Sequence, residues 1–255
     1  MEKSSGHKTL INNAFYDNLQ EDWYTAEDHP IALLRAENKI RTPWVIGEIE
    51  KNIKKPANVL DIGCGAGFLT NQLALQGHKV SGIDLSDPSL EIAKKHDSTG
   101  KVHYVHANAY SLPFPDGSFD AVCAMDILEH VEQPEMLIRE ASRVLRPGGY
   151  FFFHTFNRTL LSYIVVIKGI DWFVKNAPKN IHVYELFITP MELKQICQTR
   201  NLAVNRLVGL VPDVWSLAFW KLLFTRKISS DFRFTFANTL STGYCGIATK
   251  ENCKH

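Results

Sequence analysis

The chain has 255 residues, of which 45% are hydrophobic and 22% charged, and its formal net charge is +1. This length allows one large domain or two small ones, with enough residues for a buried core. A charge so close to neutral lacks the basic excess that binding to a phosphate backbone requires, so we expect no nucleic-acid partner.

Features that report on cellular location favour a cytoplasmic protein. The N-terminal stretch "MEKSSGHKTLINNAF" lacks the apolar core of a secretory signal, and the longest apolar run, residues 160–167, is far shorter than the ~20 residues that span a bilayer. The five cysteines are scattered without a CxxC pair, which is typical of reduced thiols.

The predicted elements begin with a mostly helical segment over residues 1–57. From residue 58 onward, short apolar runs alternate with helical patterns. The apolar runs predict strands over 58–62, 79–84, 101–107, 119–125 and 150–156. The helical patterns lie at 68–76, 88–96 and 134–145. This alternation predicts a doubly wound α/β fold, in which helices cover both faces of a mostly parallel sheet.

Two long segments, residues 157–189 and 210–241, interrupt this pattern and are named here the first and second inserts. Strands at 202–209 and 243–249 flank the second insert and bring the predicted sheet to seven strands. Long connections inside a compact domain are usually functional, and ligands of open α/β sheets bind beyond the carboxyl ends of the strands. We therefore expect a single domain over 1–255, with 58–156 as a cofactor-binding core and both inserts as helical lids.

A glycine-rich turn follows the first strand in "VLDIGCGAG", residues 59–67. Gly63 and Gly65 fit the first two places of the dinucleotide motif G-x-G-x-x-G, but the third place is occupied by Phe68. Asp61 stands just before the first glycine, where a carboxylate would repel a pyrophosphate and attract a cationic amino-acid group. The loop therefore favours S-adenosylmethionine over NAD.

Polar residues at the next two strand ends also fit an adenosine ligand. Asp84 stands 21 residues after Gly63, the spacing at which an acid meets ribose hydroxyls, although a strand-end or helix-capping aspartate is the alternative. Asn108 and Ala109 follow the third strand, where an amide oxygen and a backbone N–H can meet adenine. Asn108 is equally typical of a turn.

Longer motifs resemble a known family. The run "VLDIGCGAG…GIDLS…ANAYSLPFPDGSFDAV…ILEHVEQPEMLIREASRVLRPGGYFFF" resembles the core of class I S-adenosylmethionine-dependent methyltransferases. "FYDNLQEDWY", "LLRAENKIRTPWV", "FNRT" and "PKNIHVYELFITPMEL" resemble the ubiquinone-biosynthesis O-methyltransferase family. That resemblance covers roughly residues 12–250 and implies a Rossmann-like enzyme that methylates polyprenylated catechols and related quinols.

The resemblance also implies site residues. Its cofactor contacts fall on Arg41, Gly63, Asp84 and Met125. It further implies a Mg²⁺ site at three positions that follow the fourth strand, namely Asp126, Glu129 and His130. The chain departs from the family in having aspartate at 126, where glutamate is usual, and in residues 211–240, which lack a close match.

Three roles remain open for this cluster. A cation bound by the carboxylates would lower the pKa of the acceptor hydroxyl, or His130 alone would act as general base. In the third, Glu129 and His130 only orient the loop. Positions 126, 129 and 130 share one face if the chain is helical there.

Alternatives also remain open for the methyl acceptor and for the role of the two inserts. The chain is expected to be an O-methyltransferase of a phenolic quinone precursor, a class I methyltransferase with another small acceptor, or a non-catalytic cofactor-binding module.

Residues 160–174 and 214–224 are rich in aliphatic and aromatic side chains and have lysines and arginines nearby, at Lys168, Lys175, Lys221, Arg226 and Lys227. This composition predicts an apolar lid in peripheral contact with a membrane, or ordinary core packing.

Overall fold

The fold is known from a computed structural model, which describes residues 11–252. The strands are β1 (Asn58–Ile62), β2 (Lys79–Asp84), β3 (His103–His106), β4 (Phe119–Met125), β5 (Leu145–Phe156), β6 (Leu202–Pro212), β7 (Phe234–Ala237) and β8 (Gly243–Lys250). The helices are α1 (Asp22–Thr25), α2 (Ile31–Asn52), α3 (Phe68–Leu75), α4 (Asp87–Lys95), α5 (Pro134–Val144), α6 (Leu160–Ser162), α7 (Gly169–Phe173), α8 (Pro190–Gln198) and α9 (Leu217–Thr225). Turns of 3-10 helix span Asn13–Asn18, Leu128–His130 and Tyr184–Leu186, and a π-helical turn spans Tyr163–Lys168.

The strands form one sheet in the order β3-β2-β1-β4-β5-β8-β6-β7. β1 to β5 are parallel, with β2 and β3 on one side of β1 and β4 and β5 on the other. This arrangement confirms the doubly wound α/β fold. Strands are added outward from β1 on one side as β2 and β3, and then on the other side as β4 and β5. Because the strand order reverses between β1 and β4, a crevice for ligands is expected at the carboxyl ends of these two strands.

The sheet has eight strands within residues 11–252, so the predicted count of seven is corrected by one. β8 is antiparallel to both β5 and β6, which means that β6 runs in the same direction as β5. The additional strand, β7, lies inside the second insert and pairs with the outer edge of β6. Phenylalanine stands at every second position from 232 to 236, which is a strand pattern that the prediction of a helical insert overlooked.

The central strands are buried on both faces, which is why they appear in the sequence as continuous apolar runs. On β5, Phe151 and Phe153 pack with Ile138 of α5, whereas Phe152 packs on the opposite face with Ile49 of α2. All five side chains are fully buried. The same strand begins at Leu145, earlier than predicted, because Leu145 pairs with Phe119 directly after α5.

The N-terminal segment is helical within residues 11–57, where the Asn13–Asn18 turn, α1 and α2 lie, whereas residues 1–10 lie outside the described part of the chain. The first insert contains α6, the π-helical turn, α7 and the Tyr184–Leu186 turn. The second contains α9 and β7.

Two further observations concern the cysteines and the helices. The cysteines at 64, 123, 197 and 245 are buried and free, and Cys253 lies outside the described residues. No helix within 11–252 combines the length and the apolar character needed to cross a bilayer.

Candidate active site

A cavity of about 840 Å³ opens at the carboxyl ends of the parallel strands. Its walls come from the strand ends, from the Asn13–Asn18 turn and from both inserts. Most of the predicted site residues line it: Asp61, Gly63, Gly65, Asp84, Asn108, Ala109, Met125, Asp126, Glu129 and His130. Arg41 does not belong to this lining set.

The loop after β1 brings bare backbone to the cavity. Gly63 and Gly65 have φ values of +71° and +50°, in the left-handed region that favours glycine. A Cβ atom on Gly63 would lie 2.5 Å from Cδ1 of Ile127, and one on Gly65 would lie 2.9 Å from the Trp23 ring. Side chains are therefore excluded here on conformational and steric grounds.

Asp84 at the end of β2 braces this loop. One carboxylate oxygen accepts a 2.9 Å hydrogen bond from the Gly65 N–H, and the other accepts a 2.9 Å bond from the Ser86 N–H. Burial raises the pKa of Asp84 despite these bonds. Asp61 is only 3% exposed, and burial together with the nearby Asp84 charge raises its pKa well above the usual range. The pocket thus holds two carboxyl groups for which a cationic ligand would be favourable.

Two residues at or just after the ends of the neighbouring strands complete this side of the cavity. Asn108 follows β3, and its side-chain oxygen accepts a 2.9 Å hydrogen bond from the Tyr110 N–H, which is the turn contact that the sequence left as an alternative. Met125 ends β4 and is almost completely buried.

Arg41 lies behind the cavity in a buried ion cluster. Its guanidinium is fully buried, forms an ion pair with Asp126 and lies 3.2 Å from the Glu37 carboxylate. His154 of β5 joins the cluster, with Nδ1 against the Asp126 carboxylate and 2.8 Å from Arg41 Nη1. The family resemblance assigns Arg41 to cofactor binding, but in the structure its guanidinium contacts carboxyl groups of the protein instead. No local sequence pattern points to Glu37 or His154 as members of this cluster.

Asp126 turns the chain sharply at the end of β4. Its φ of +62° is in the left-handed region, and the 3-10 turn of Leu128–His130 follows. Burial alone would raise the pKa of Asp126, but the Arg41 charge holds it well below the usual range. Because the left-handed Asp126 and the 3-10 turn interrupt any α-helix here, the helical spacing that would place residues 126, 129 and 130 on one face is absent.

This geometry does not support the predicted Mg²⁺ site. Within the described residues, the group whose potential ligand atoms all lie within 4.8 Å of one another is Glu37, Asp126 and His154 rather than Asp126, Glu129 and His130. The Arg41 guanidinium already neutralises Asp126, so this donor set does not fit a second cation.

Glu129 is fully buried at the cavity wall close to Thr155, and among residues 11–252 neither of its carboxyl oxygens makes a hydrogen bond of good geometry. Burial, reinforced by the negative charge of Asp126, raises the pKa of Glu129 to about 8. At neutral pH the side chain is therefore mainly a neutral acid that can donate a hydrogen bond.

His130 is held by the N-terminal turn. Its Nδ1 lies 3.3 Å from Oδ1 of Asn13, whose Nδ2 donates a 3.1 Å bond to the His130 carbonyl oxygen. Its Nε2 lies 3.5 Å from the Tyr16 hydroxyl, and the ring of His182 is 5.3 Å away. Burial lowers the pKa of His130 to about 4, so the imidazole is neutral. Sequence reasoning missed Asn13 and Tyr16 in this role.

Comparison with known proteins gives the class to which this site belongs. Residues 60–153 match the family model described as a methyltransferase domain. The chain also superposes on the crystal structure of magnesium protoporphyrin IX methyltransferase from Synechocystis PCC 6803 with bound SAH. The TM-score is 0.65 at 16% identity, and the match covers 94% of this chain and 96% of that one. The fold is that of the class I S-adenosylmethionine-dependent methyltransferases.

Sequence relatives narrow the class to a family. A protein from Aromatoleum aromaticum is 36% identical over 212 residues, which cover 79% of this chain and 88% of the relative. One from Pseudomonas putida is 34% identical over 223 residues, covering 86% and 90%. Both are named ubiquinone biosynthesis O-methyltransferase. The chain belongs to this family and is an S-adenosylmethionine-dependent methyltransferase, which confirms the predicted family, enzyme class and cofactor.

Between about pH 7 and 8.5 we expect the free energy of unfolding to fall as pH rises. Burial raises the pKa of Glu37 and Glu129 to about 8, whereas the unfolded groups titrate near 4.5. The folded chain therefore holds more protons in this window, and raising the pH favours unfolding by about 1 kcal/mol per group. His130, His154 and His182, whose pKa burial lowers, give the opposite slope only below about pH 6.5.

Urea unfolding at a series of pH values measures this decline. Glu129→Gln, which cannot ionise, should remove its share of the slope. Glu135→Gln, at an exposed position of α5, is the matched control and should leave the slope unchanged. A wild-type unfolding free energy that stays constant or increases across the window would contradict the expectation.

Proposed function

We propose that this chain transfers the methyl group of S-adenosylmethionine to a phenolic hydroxyl of a quinol or catechol precursor of ubiquinone. The observation that carries the proposal is one continuous cavity, which joins the glycine loop to His130 and then to an apolar compartment between the inserts. The names of the relatives support the acceptor class. The products are S-adenosylhomocysteine and an aryl methyl ether.

The cofactor is assigned to the end of the cavity formed by the loop after β1. Gly63 and Gly65 let the ligand approach the backbone, and Asp61 offers a carboxylate to the cationic amino group. Asp84 is proposed to accept hydrogen bonds from the ribose hydroxyls. Its carboxylate has about four lone pairs, of which the Gly65 and Ser86 N–H groups use two.

Adenine is assigned to the neighbouring strand ends. Asn108 and Ala109 are proposed to border the ring, and Met125 to pack against the cofactor. Because the Asn108 oxygen already accepts from Tyr110, its amide nitrogen is the group left to meet a ring nitrogen.

When bound, S-adenosylmethionine supplies a sulfonium methyl group that is open to displacement by a nucleophile. His130 is proposed to accept the phenolic proton at Nε2 while the new O–C bond forms and the C–S bond breaks. Glu129, as a neutral acid, is proposed to donate a hydrogen bond to the second oxygen of the acceptor. No step passes through a metal ion, because Arg41 already pairs with Asp126.

The apolar part of the cavity supports a prenylated acceptor. Ile170 of the first insert and Phe219, Leu222 and Phe232 of the second line it, together with Phe156 at the end of β5. These side chains carry no polar group, so they suit a hydrocarbon tail better than a hydrated substituent. The tail is therefore proposed to extend between the inserts, away from the glycine loop.

The inserts are also proposed to touch a membrane. On α9, Leu222 faces the cavity, whereas Leu217, Trp220 and Phe224 are 52–85% exposed at positions that share the opposite face. Trp215, just before α9, is 93% exposed. Lys168, Lys175, Lys221, Arg226 and Lys227 lie in or beside these segments. An apolar face bordered by cations is the pattern that binds anionic lipid surfaces.

Methyl transfer to a catechol with a short prenyl tail tests the function. With methyl-labelled cofactor, mass spectrometry should find the label on a phenolic oxygen, also in excess chelator. His130→Gln should lower kcat by about 100-fold or more, since a general base is lost. His103→Gln, at an exposed position of β3, is the control.

The alternatives predict other results in the same assay. Cofactor binding with labelling of a different small molecule from a cell extract would favour another acceptor, and cofactor binding without any labelled product would favour a non-catalytic cofactor-binding module. Activity lost in chelator and restored by Mg²⁺ would contradict the metal-free mechanism.

Asp84→Asn should weaken cofactor binding by about tenfold or more, because a charge-assisted hydrogen bond contributes roughly 1.5–3 kcal/mol. Isothermal titration calorimetry with S-adenosylmethionine measures the change. Asp87→Asn removes an exposed carboxylate that contacts only His106 in the described structure, and should leave the affinity unchanged. Equal affinities for Asp84→Asn and wild type would refute the assignment.

Flotation with phosphatidylglycerol-containing vesicles tests the membrane contact. Wild type should float with the vesicles, less at high salt, and a Trp215→Glu/Trp220→Glu double variant should remain unbound while still binding cofactor. Leu75→Glu/Met191→Glu, at exposed apolar positions outside both inserts, is the matched control and should float like wild type. Equal flotation of both double variants, or none of wild type, would exclude the proposed surface.

A further inference from the structure

We propose that Asn13 is a positioning residue that fixes His130 in its Nδ1–H tautomer, so that Nε2 is the nitrogen that accepts the proton of the acceptor. The inference rests on the proposed function, because it assigns the atom through which His130 would act. It concerns a residue that lies 117 positions away in the chain.

The hydrogen-bond chemistry of the amide leaves one assignment. A backbone carbonyl oxygen can only accept, so the Asn13 atom that lies 3.1 Å from the His130 oxygen has to be the amide nitrogen. The other Asn13 atom is then an oxygen, which also can only accept. It lies 3.3 Å from Nδ1, so Nδ1 has to carry the hydrogen. The neutral ring therefore bears its lone pair at Nε2.

The surroundings of Nε2 agree with this assignment. The Tyr16 hydroxyl lies 3.5 Å from Nε2. Burial raises the pKa of Tyr16, and the ionised Asp126 adds to this shift, so the hydroxyl keeps its proton and serves as a donor to the lone pair. Asn13, Tyr16 and His130 all line the cavity, so an acceptor hydroxyl bound there would replace Tyr16 at the single lone pair of Nε2.

Other groups that face His130 do not fix its tautomer. The His182 ring is tilted by 51° at a centroid distance of 5.3 Å, and the Asp126 carboxylate is held by Arg41 and His154. The protonation pattern of a neutral imidazole is set by the bond that its other nitrogen makes. In the described structure that bond comes from Asn13.

The Asn13–Asn18 turn is anchored independently of His130. The Asn12 N–H donates a 2.9 Å bond to the Asn180 carbonyl, and the Ser89 hydroxyl lies 3.4 Å from the Tyr16 carbonyl. The Tyr16 ring also stacks on Trp23 at 5.5 Å. The turn therefore has contacts that keep it in place when the Asn13 side chain is changed.

The experiment compares the full chain with Asn13→Leu, Asn13→Asp and Asn18→Leu, all labelled with ¹⁵N-histidine. Long-range ¹H–¹⁵N correlation spectra report which ring nitrogen is protonated, and the His130 signals are assigned by their loss in His130→Gln. Wild type and Asn18→Leu should show the Nδ1–H pattern, because the exposed Asn18 side chain hydrogen-bonds only the Ala14 carbonyl within residues 11–252. Asn13→Leu should show a mixture or the Nε2–H pattern.

Kinetics of the same proteins complete the test. Asn13→Leu should lower kcat about tenfold or more with the KM for S-adenosylmethionine unchanged, since a misplaced proton impairs general-base catalysis without touching the cofactor. Asn13→Asp keeps an oxygen acceptor for Nδ1–H and should recover part of the lost kcat. Asn18→Leu should match wild type.

The two proposals fail in different ways. If His130→Gln keeps full kcat, the assignment of His130 as general base is wrong, but the spectra still show whether Asn13 determines which nitrogen of His130 is protonated. If His130→Gln is inactive but Asn13→Leu keeps the wild-type spectrum, the positioning role of Asn13 is overturned. A loss of kcat in Asn13→Leu without a change of tautomer overturns it as well.

Discussion

Burial of the Arg41 guanidinium removes a charge from water, and only nearby anionic groups can offset that cost. Asp126 at the end of β4 supplies the anion, the Glu37 carboxyl group on the same helix as Arg41 lies 3.2 Å from the guanidinium, and His154 on β5 fills the remaining side. The cluster therefore ties α2 to the carboxyl ends of two adjacent strands. Leaving such a charge without its partner typically costs about 3–5 kcal/mol, so the position of α2 and the form of the β4 end depend on each other.

The same ion pair determines what the loop after β4 presents to the cavity. Because Asp126 faces Arg41 in a left-handed backbone conformation, Glu129 and His130 follow on a separate 3-10 turn. Asp126 stays ionised beside its cation, whereas Glu129, fully buried without one, becomes a neutral acid. Two carboxyl groups three residues apart thus differ in protonation because their surroundings differ, which is how active sites assign distinct roles to similar side chains.

The sequence predicted the parts of the molecule that have local signals. The buried runs gave β1, β2 and β4 with their bounds, and the glycines and Asp84 marked the strand ends that line the cavity. Partners that are distant in the chain gave no such signal. Arg41 and Asp126 are 85 residues apart, and Asn13 and His130 are 117 apart, so their contacts follow from tertiary packing alone. The Mg²⁺ prediction assumed continuous helical spacing after β4, and the left-handed Asp126 breaks that spacing.

The parts of the site that concern the methyl donor and those that concern the methyl acceptor come from different regions of the chain. The methyltransferase match covers residues 60–153, which supply the glycine loop, Asp84 and His130. The segments that close the cavity lie outside that range: the Asn13–Asn18 turn on one side and the inserts on the other. A common core can therefore fix the cofactor and the reacting atoms while these segments set the shape, polarity and surroundings of the acceptor pocket. Differences in acceptor among related enzymes are expected to arise from such outer segments, because they alone can change without disturbing the buried charges beneath the site.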